Sequence, residues 1–134
     1  MATVKTYKEL IVWQKSMDLV EQVYTLTKSF PESEKFALTN QLRRCAVSIP
    51  SNIAEGWGRG TAKFYVHFLQ IAKGSLAELE TQLEIANRLK YIDQSEVIFK
   101  QSVEIHKMLN GLINKIKTKI KDNGTVSESL ITYN

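Results

Sequence analysis

The chain has 134 residues, of which 43% are hydrophobic and 24% charged, and it contains only six glycines and two prolines. This balance excludes a disordered or collagen-like chain and leaves room for one compact domain. Eighteen Lys and Arg residues against fourteen Asp and Glu residues give a formal net charge of +4, which permits a nucleic-acid or acidic partner without requiring one.

The first predicted helix covers about residues 7–30. Its apolar side chains recur at steps of three and four, as on one face of an α-helix: Leu10, Trp13, Met17, Val20 and Tyr24. A second apolar line runs beside the first and widens the apolar surface: Leu19, Val23, Leu26 and Phe30. We therefore expect this helix to contact more than one neighbour. It should end before Pro31, because proline disfavours helical geometry in the residue that precedes it.

The second predicted helix covers about residues 32–57 and leads into the unusual stretch VSIPSNIAEGWGRG at 47–60. Pro50 predicts a bend, because it removes one backbone hydrogen bond. Gly56 predicts a close approach by another helix, because it has no side chain. Polar side chains follow one another at steps of three and four beside the apolar line: Arg44, Ser48, Asn52, Glu55 and Arg59.

The third predicted helix covers about residues 61–91, with the Thr61 hydroxyl as its N-cap. Its start, KFYVHFLQIA, is apolar on almost every side, which predicts a subunit interface. If this helix and the second form an antiparallel hairpin, their polar lines face each other. The sequence then predicts a structural polar network of six residues: Ser48, Asn52, Glu55, Ser75, Glu78 and Gln82. The functional alternative is a polar pocket around Glu55 and Glu78.

The fourth predicted helix covers about residues 94–122, and residues 123–134 are expected to form a flexible tail. Four amphipathic helices joined by short turns predict an all-α fold, an antiparallel up-down four-helix bundle that occupies residues 1–122 as one domain.

Basic side chains cluster near the end of the fourth helix, in KIKTKIKD at 115–122: Lys115, Lys117, Lys119 and Lys121. One explanation is that cations are favoured at a helix C-terminus and aid solubility. The other explanation is contact with nucleic-acid phosphates. Arg43 and Arg59 beside Trp57 would supply a second basic patch, with an aromatic ring for base stacking.

Residues suited to catalysis or metal binding are scarce in the chain. A di-iron bundle requires Glu-x-x-His pairs, and neither His67 nor His106 has a Glu three positions before it. Cys45 is expected to be a small core residue. The sequence therefore predicts no catalytic residue, no metal and no cofactor. It also lacks a secretory signal and a membrane span, so we expect a cytoplasmic protein with no membrane partner.

Two segments resemble a known protein family: VWQKSMDLVEQVYTLTKSFPESEKFALTNQLRRCAVSIPSNIAEGWGRG and FLQIAKGSLAELETQLEIA. They are similar to the bacterial four-helix proteins encoded within intervening sequences of 23S ribosomal RNA genes, the S23 family, over about residues 7–120. The resemblance implies a ring-shaped oligomer, a homopentamer, with no known catalytic activity.

A related branch is the accessory variability determinant of diversity-generating retroelements, which binds nucleic acid through a basic surface and partners a reverse transcriptase. By that analogy, the resemblance implies a nucleic-acid-binding role for four residues of this chain: Arg43, Arg44, Arg59 and Lys63.

Three hypotheses for the function follow. The first is a non-enzymatic, homo-oligomeric accessory or scaffold protein that binds RNA or DNA. The second is a protein interaction module that docks a partner protein through the first helix or the start of the third, with no nucleic acid. The third is an enzyme that uses Glu55 and Glu78 as acid and base.

Overall fold

The computed structural model describes residues 4–93 and 96–123, which form four α-helices and no β-strand. The helices in chain order are α1 (Ile11–Thr27), α2 (Leu38–Gly58), α3 (Ala62–Arg88) and α4 (Val97–Asn123). Helices α1 and α3 each pack against both α2 and α4. The predicted all-α four-helix bundle is confirmed. The predicted tail lies outside the described residues, except for Asn123, which ends α4.

The helix ends differ from the predicted ones by a few residues, most clearly at α1. A 3-10 turn, Tyr7–Glu9, comes first, and the Thr6 hydroxyl accepts a hydrogen bond from the Lys8 amide. Leu10 then has an extended backbone, with φ −70° and ψ 127°, so α1 begins only at Ile11. The side chain of Leu10 is fully buried. The apolar period alone does not reveal this break, because Leu10 fits the period.

The core-facing line of α1 contains Leu19 and Val23 of the second predicted apolar line, together with residues that neither predicted line included. The buried residues of α1 are Val12, Ser16, Leu19, Val23 and Thr27. The predicted first line is turned partly outward, with Met17 37% and Tyr24 40% exposed. Two hydroxyls make this possible, because Ser16 donates to the Val12 carbonyl at 2.7 Å and Thr27 donates to the Val23 carbonyl at 2.7 Å. A hydroxyl satisfied within its own helix can lie in the core at little cost.

Two interactions tie elements that are distant in sequence. Lys15 Nζ lies 2.8 Å from Glu104 Oε1, which joins α1 to α4. The hydroxyl of Tyr91, beyond α3, donates to Glu34 Oε2 at 2.9 Å in the α1–α2 connection. This hydrogen bond to a carboxylate raises the pKa of Tyr91. Glu34 lies in the connection between α1 and α2, and Tyr91 lies in the connection between α3 and α4. These two connections are at the same end of the bundle.

The connection between α2 and α3 is a tight corner at the opposite end of the bundle. Gly60 has φ +78°, a left-handed conformation that glycine adopts without strain. Thr61 is the N-cap of α3, and its side chain accepts from the Phe64 amide at 3.3 Å. The predicted cap is therefore present.

Across the described ranges, every helix is too short or too polar to cross a membrane.

Candidate nucleic-acid interface

Positive charge is concentrated at one end of the bundle. The antiparallel order brings together the starts of α1 and α3 and the last turns of α2 and α4, and we call this the basic end. Its exposed cations come from four separate parts of the sequence: Lys5, Lys8, Arg59, Lys63, Lys115, Lys117, Lys119 and Lys121. Six of these eight cations were predicted from the sequence, and Lys5 and Lys8 were not.

The charge difference between the two halves of the bundle is large. By sequence, the half with the basic end (residues 1–18, 49–75 and 110–123) has ten Lys and Arg against four Asp and Glu, a net charge of +6. The other half (residues 19–48 and 76–109) has eight against nine, a net charge of −1. The modest net positive charge of the chain is therefore concentrated in one half of the bundle, where it produces a stronger local potential.

The four lysines of α4 form two pairs rather than one cluster. Ile116 is fully buried and faces the core. At about 100° per residue, Lys115 and Lys119 lie on one flank of that core line, and Lys117 and Lys121 lie on the other. The basic surface therefore extends around both sides of the last turns of α4.

Arg59 contacts two phenylalanines at the corner between α2 and α3. Its guanidinium carbon lies 5.7 Å from the ring centroid of Phe64 and 5.1 Å from that of Phe68. Its Nε lies 3.5 Å from Glu55 Oε2, and both side chains of this ion pair are about half exposed. Trp57 is partly buried, and its indole nitrogen is buried with no hydrogen-bond partner among the described residues. The aromatic partners of Arg59 are thus Phe64 and Phe68.

The other two predicted arginines lie away from the basic end. Arg43 Nε donates to Thr27 Oγ1 at 2.9 Å, and its guanidinium carbon lies 4.7 Å from the Tyr24 ring centroid. It is sixteen residues from Arg59, which corresponds to about 24 Å along α2. Arg44 lines a groove between α2 and α3. The structure does not bring Arg43 and Arg59 together beside Trp57.

A polar network joins α2 to α3 along that groove, which has a volume of about 290 Å³. At its centre, the hydroxyls of Ser48 and Ser75 are 2.8 Å apart. Asn52 Nδ2 donates to the Ser48 carbonyl at 2.8 Å and to its hydroxyl at 2.9 Å. The Cys45 thiol donates to Glu78 Oε2 at 3.4 Å. Gln82 Nε2 lies 3.5 Å from Gln41 Oε1.

These contacts set the register of α2 against α3. The α2 position moves from 41 to 45 to 48 as its α3 partner moves from 82 to 78 to 75. Gln41 and Cys45 belong to the network although the sequence did not predict them there. Continuing the polar line of α2 by one turn towards its N-terminus would have found Gln41.

Glu55 lies outside this network. It pairs with Arg59 on its own helix, and it lies ten residues beyond the Cys45 position that faces Glu78. Ten residues correspond to about 15 Å along a helix. An acid and a base that act on one substrate atom must both lie within hydrogen-bond reach of it. The two carboxylates do not meet that condition.

The environment of Cys45 suppresses its reactivity. Burial is the largest cause that raises the pKa of its thiol, and the hydrogen bond to Glu78 raises it further. Since the thiolate is the nucleophile, little reactive form is present near neutral pH.

We expect Cys45 to be alkylated at pH 8 more slowly in the folded protein than in the unfolded chain. In the folded protein, the alkylation rate should continue to rise at pH values above the pKa of an ordinary thiol. Glu78→Gln should speed the reaction, because it removes the carboxylate that holds the thiol proton. Mass spectrometry after timed exposure to iodoacetamide measures this rate. Glu80→Gln is the matched control, because Glu80 contacts His106 instead. Equal rates in the Glu78→Gln and wild-type proteins would contradict the expectation.

Within the ranges that the structure describes, no group of three or more His, Cys, Asp or Glu side chains is placed to hold a metal ion. His106 Nδ1 lies 3.1 Å from Glu80 Oε1, a contact between α4 and α3.

The fold and this surface define a small all-α bundle protein with one strongly basic end. Residues 8–111 match the family described as 23S rRNA-intervening sequence protein, and the chain belongs to this family. It is also similar to a crystal structure of a protein with unknown function from the S23 ribosomal protein family of Bacteroides thetaiotaomicron. The two share 30% sequence identity and a TM-score of 0.71 over 77% of this chain and 98% of that one. No curated protein matches the chain.

Proposed function

We propose that the protein is a non-enzymatic, homo-oligomeric accessory or scaffold protein that binds RNA or DNA through its basic end. The observation that carries this proposal is the separation of charge, with +6 on the half with the basic end and −1 on the other half. Phosphate backbones bind such surfaces by releasing counterions. The proposed location is the cytoplasm, where a lone thiol such as Cys45 stays reduced.

An outward apolar surface supports self-association. Side chains of α1 and α2 line a groove of about 340 Å³, and most of its surface is apolar: Tyr7, Trp13, Met17, Val20, Val47, Pro50, Ser51 and Ala54. A second copy of the chain would bury this surface. In a ring, which the family resemblance suggests is a pentamer, several basic ends would lie side by side and bind one nucleic acid with added avidity.

Fluorescence anisotropy tests the proposal with labelled structured RNA, duplex DNA and single strands, each across a salt series. We expect the logarithm of the binding constant to fall linearly with the logarithm of salt concentration, with a slope that reports the number of phosphates neutralised. Light scattering on the same samples measures the subunit number. An intact oligomer that binds none of these probes at low salt would reject nucleic-acid binding.

The α1–α2 groove also favours a second candidate function, a module that docks a partner protein such as a reverse transcriptase. Partly exposed aromatic and Met side chains are typical of such surfaces. This function predicts that the tagged protein captures one protein partner after nuclease treatment. It also predicts that Met17→Asp prevents this capture without changing the subunit number.

A further inference from the structure

Phe64 is an exposed aromatic residue within the basic end. It lies in the first turn of α3 and is 46% exposed, although the next residue, Tyr65, is fully buried and Val66 nearly so. Tyr65 and Val66 therefore pack into the core of the bundle, whereas much of the Phe64 ring remains accessible to a ligand.

Positive charge lies beside this ring. The guanidinium carbon of Arg59 lies 5.7 Å from the Phe64 ring centroid, and Lys63 is exposed beside it in the sequence. A phosphate that follows a base stacked on Phe64 would therefore be close to two cations. An aromatic face next to such cations is the combination that binds a single strand, in which bases stack on rings and phosphates contact Lys and Arg.

The backbone at this corner leaves room for a bound strand. Neither Gly58 nor Gly60 carries a side chain, and a Cβ added at either one would meet no other atom within 4 Å. Both glycines are exposed. The corner at these two glycines is therefore open to a ligand.

Base stacking on this ring requires a base whose face is free. Bases within a duplex are stacked on both sides, whereas those of single strands, loops and ends can turn outward. We propose that the α2–α3 corner binds single-stranded nucleic acid, with one base stacked on Phe64 and the adjacent phosphates held by Arg59 and Lys63. This inference rests on the proposed function and names the class of nucleic acid that the same basic end selects.

Anisotropy with a fluorescent single strand and with a duplex of the same length tests the inference on the full-length protein. We expect Phe64→Ala to weaken single-strand binding by about 5- to 150-fold, the effect of losing one base–aromatic stack. Duplex binding and the salt slope should not change, because no charge is removed. Phe64→Tyr should restore most of the single-strand affinity, because it keeps the ring.

Phe36 offers a matched control. It is 87% exposed, and Lys35 lies 5.5 Å from its ring centroid, but it lies in the α1–α2 connection at the other end of the bundle, near Glu32 and Glu34. We expect Phe36→Ala to leave both affinities unchanged. Equal effects of the two Phe→Ala substitutions would overturn the inference.

Three further outcomes would reject it for different reasons. If the wild-type protein binds neither probe, the proposed function fails and this inference fails with it. If the wild-type protein binds but Phe64→Ala leaves the preference for single strands unchanged, only the inference fails. If Phe64→Ala changes the mass measured by light scattering, the ring belongs to a subunit or protein interface instead of a nucleic-acid site.

Discussion

Reversal of Lys115, Lys117, Lys119 and Lys121 to Glu is expected to weaken nucleic-acid binding on the order of 100- to 1,000-fold at about 0.1 M salt. Each lysine that contacts a phosphate contributes close to one unit to the salt slope, so the slope should fall by up to about four per chain. The reversed side chains would also repel the phosphates.

A second set of four lysines provides the control for net charge. Lys28, Lys35, Lys100 and Lys107 are exposed and lie in the opposite half of the bundle. Reversing them changes the formal charge of the chain by the same amount. We expect this variant to retain most of the affinity, since only long-range attraction is reduced and salt screens it within about 10 Å. Equal losses in the two variants would show that net charge, and not its location, determines binding.

The stability of the first variant must be checked by circular dichroism and light scattering. Cations near a helix C-terminus each stabilise it by about 0.3–1 kcal/mol, so some loss of helicity at the end of α4 is expected. An unchanged subunit number with lost binding would assign the effect to phosphate contact. It would also exclude the explanation that these lysines serve only the helix end.

Gly56→Ala is expected to destabilise the protein by about 1–3 kcal/mol, although alanine is the better helix former. A Cβ at this position would lie 2.8 Å from Phe68 Cβ and 3.3 Å from the Tyr65 carbonyl oxygen. Both contacts are with atoms held by the α3 backbone, so relief requires the two helices to move apart. Tyr65 is fully buried at this contact. Urea unfolding at one fixed protein concentration measures the change in the free energy of unfolding.

Two other helical glycines are matched controls. A Cβ at Gly74 in α3 or at Gly111 in α4 would meet no atom within 4 Å. Alanine at these positions should stabilise the protein by up to about 1 kcal/mol through helix propensity alone. A Gly56→Ala protein as stable as these controls would show that α2 and α3 separate at little cost. A loss of subunit association in Gly74→Ala or Gly111→Ala would place that glycine in an interface between copies of the chain.

The polar pairing between α2 and α3 was predictable because its causes are local. Residues at steps of three and four share a helix face, and a short Gly-containing connection makes consecutive helices antiparallel. Ser48 and Ser75 could therefore be expected to face each other, and they do. Glu55 continues the same line in sequence, but its ion pair with Arg59 draws it to the corner. Periodicity predicts the helix face on which a side chain is attached. It does not predict which of the partners within reach a long side chain contacts.

The core face of α1 was less predictable. Two apolar lines run along this helix, and spacing alone does not decide which of them faces the core. The buried line includes Ser16 and Thr27, which neither predicted line contained. Counting those residues as polar misplaces them, because each hydroxyl is satisfied by a carbonyl of its own helix. Whether a hydroxyl can be buried depends on a hydrogen bond that composition does not show.

The sequence by itself determined the number of helices, their amphipathic character and the cap at Thr61, because these depend on neighbouring residues and on the period of the α-helix. Only the tertiary structure decided that Lys8, Arg59 and Lys119, which are far apart in sequence, share one end of the bundle. It also decided that Phe64, and not Trp57, is the aromatic ring exposed among them. Charges add up over space and not along the chain, so the packing of the four helices sets the surface on which they act.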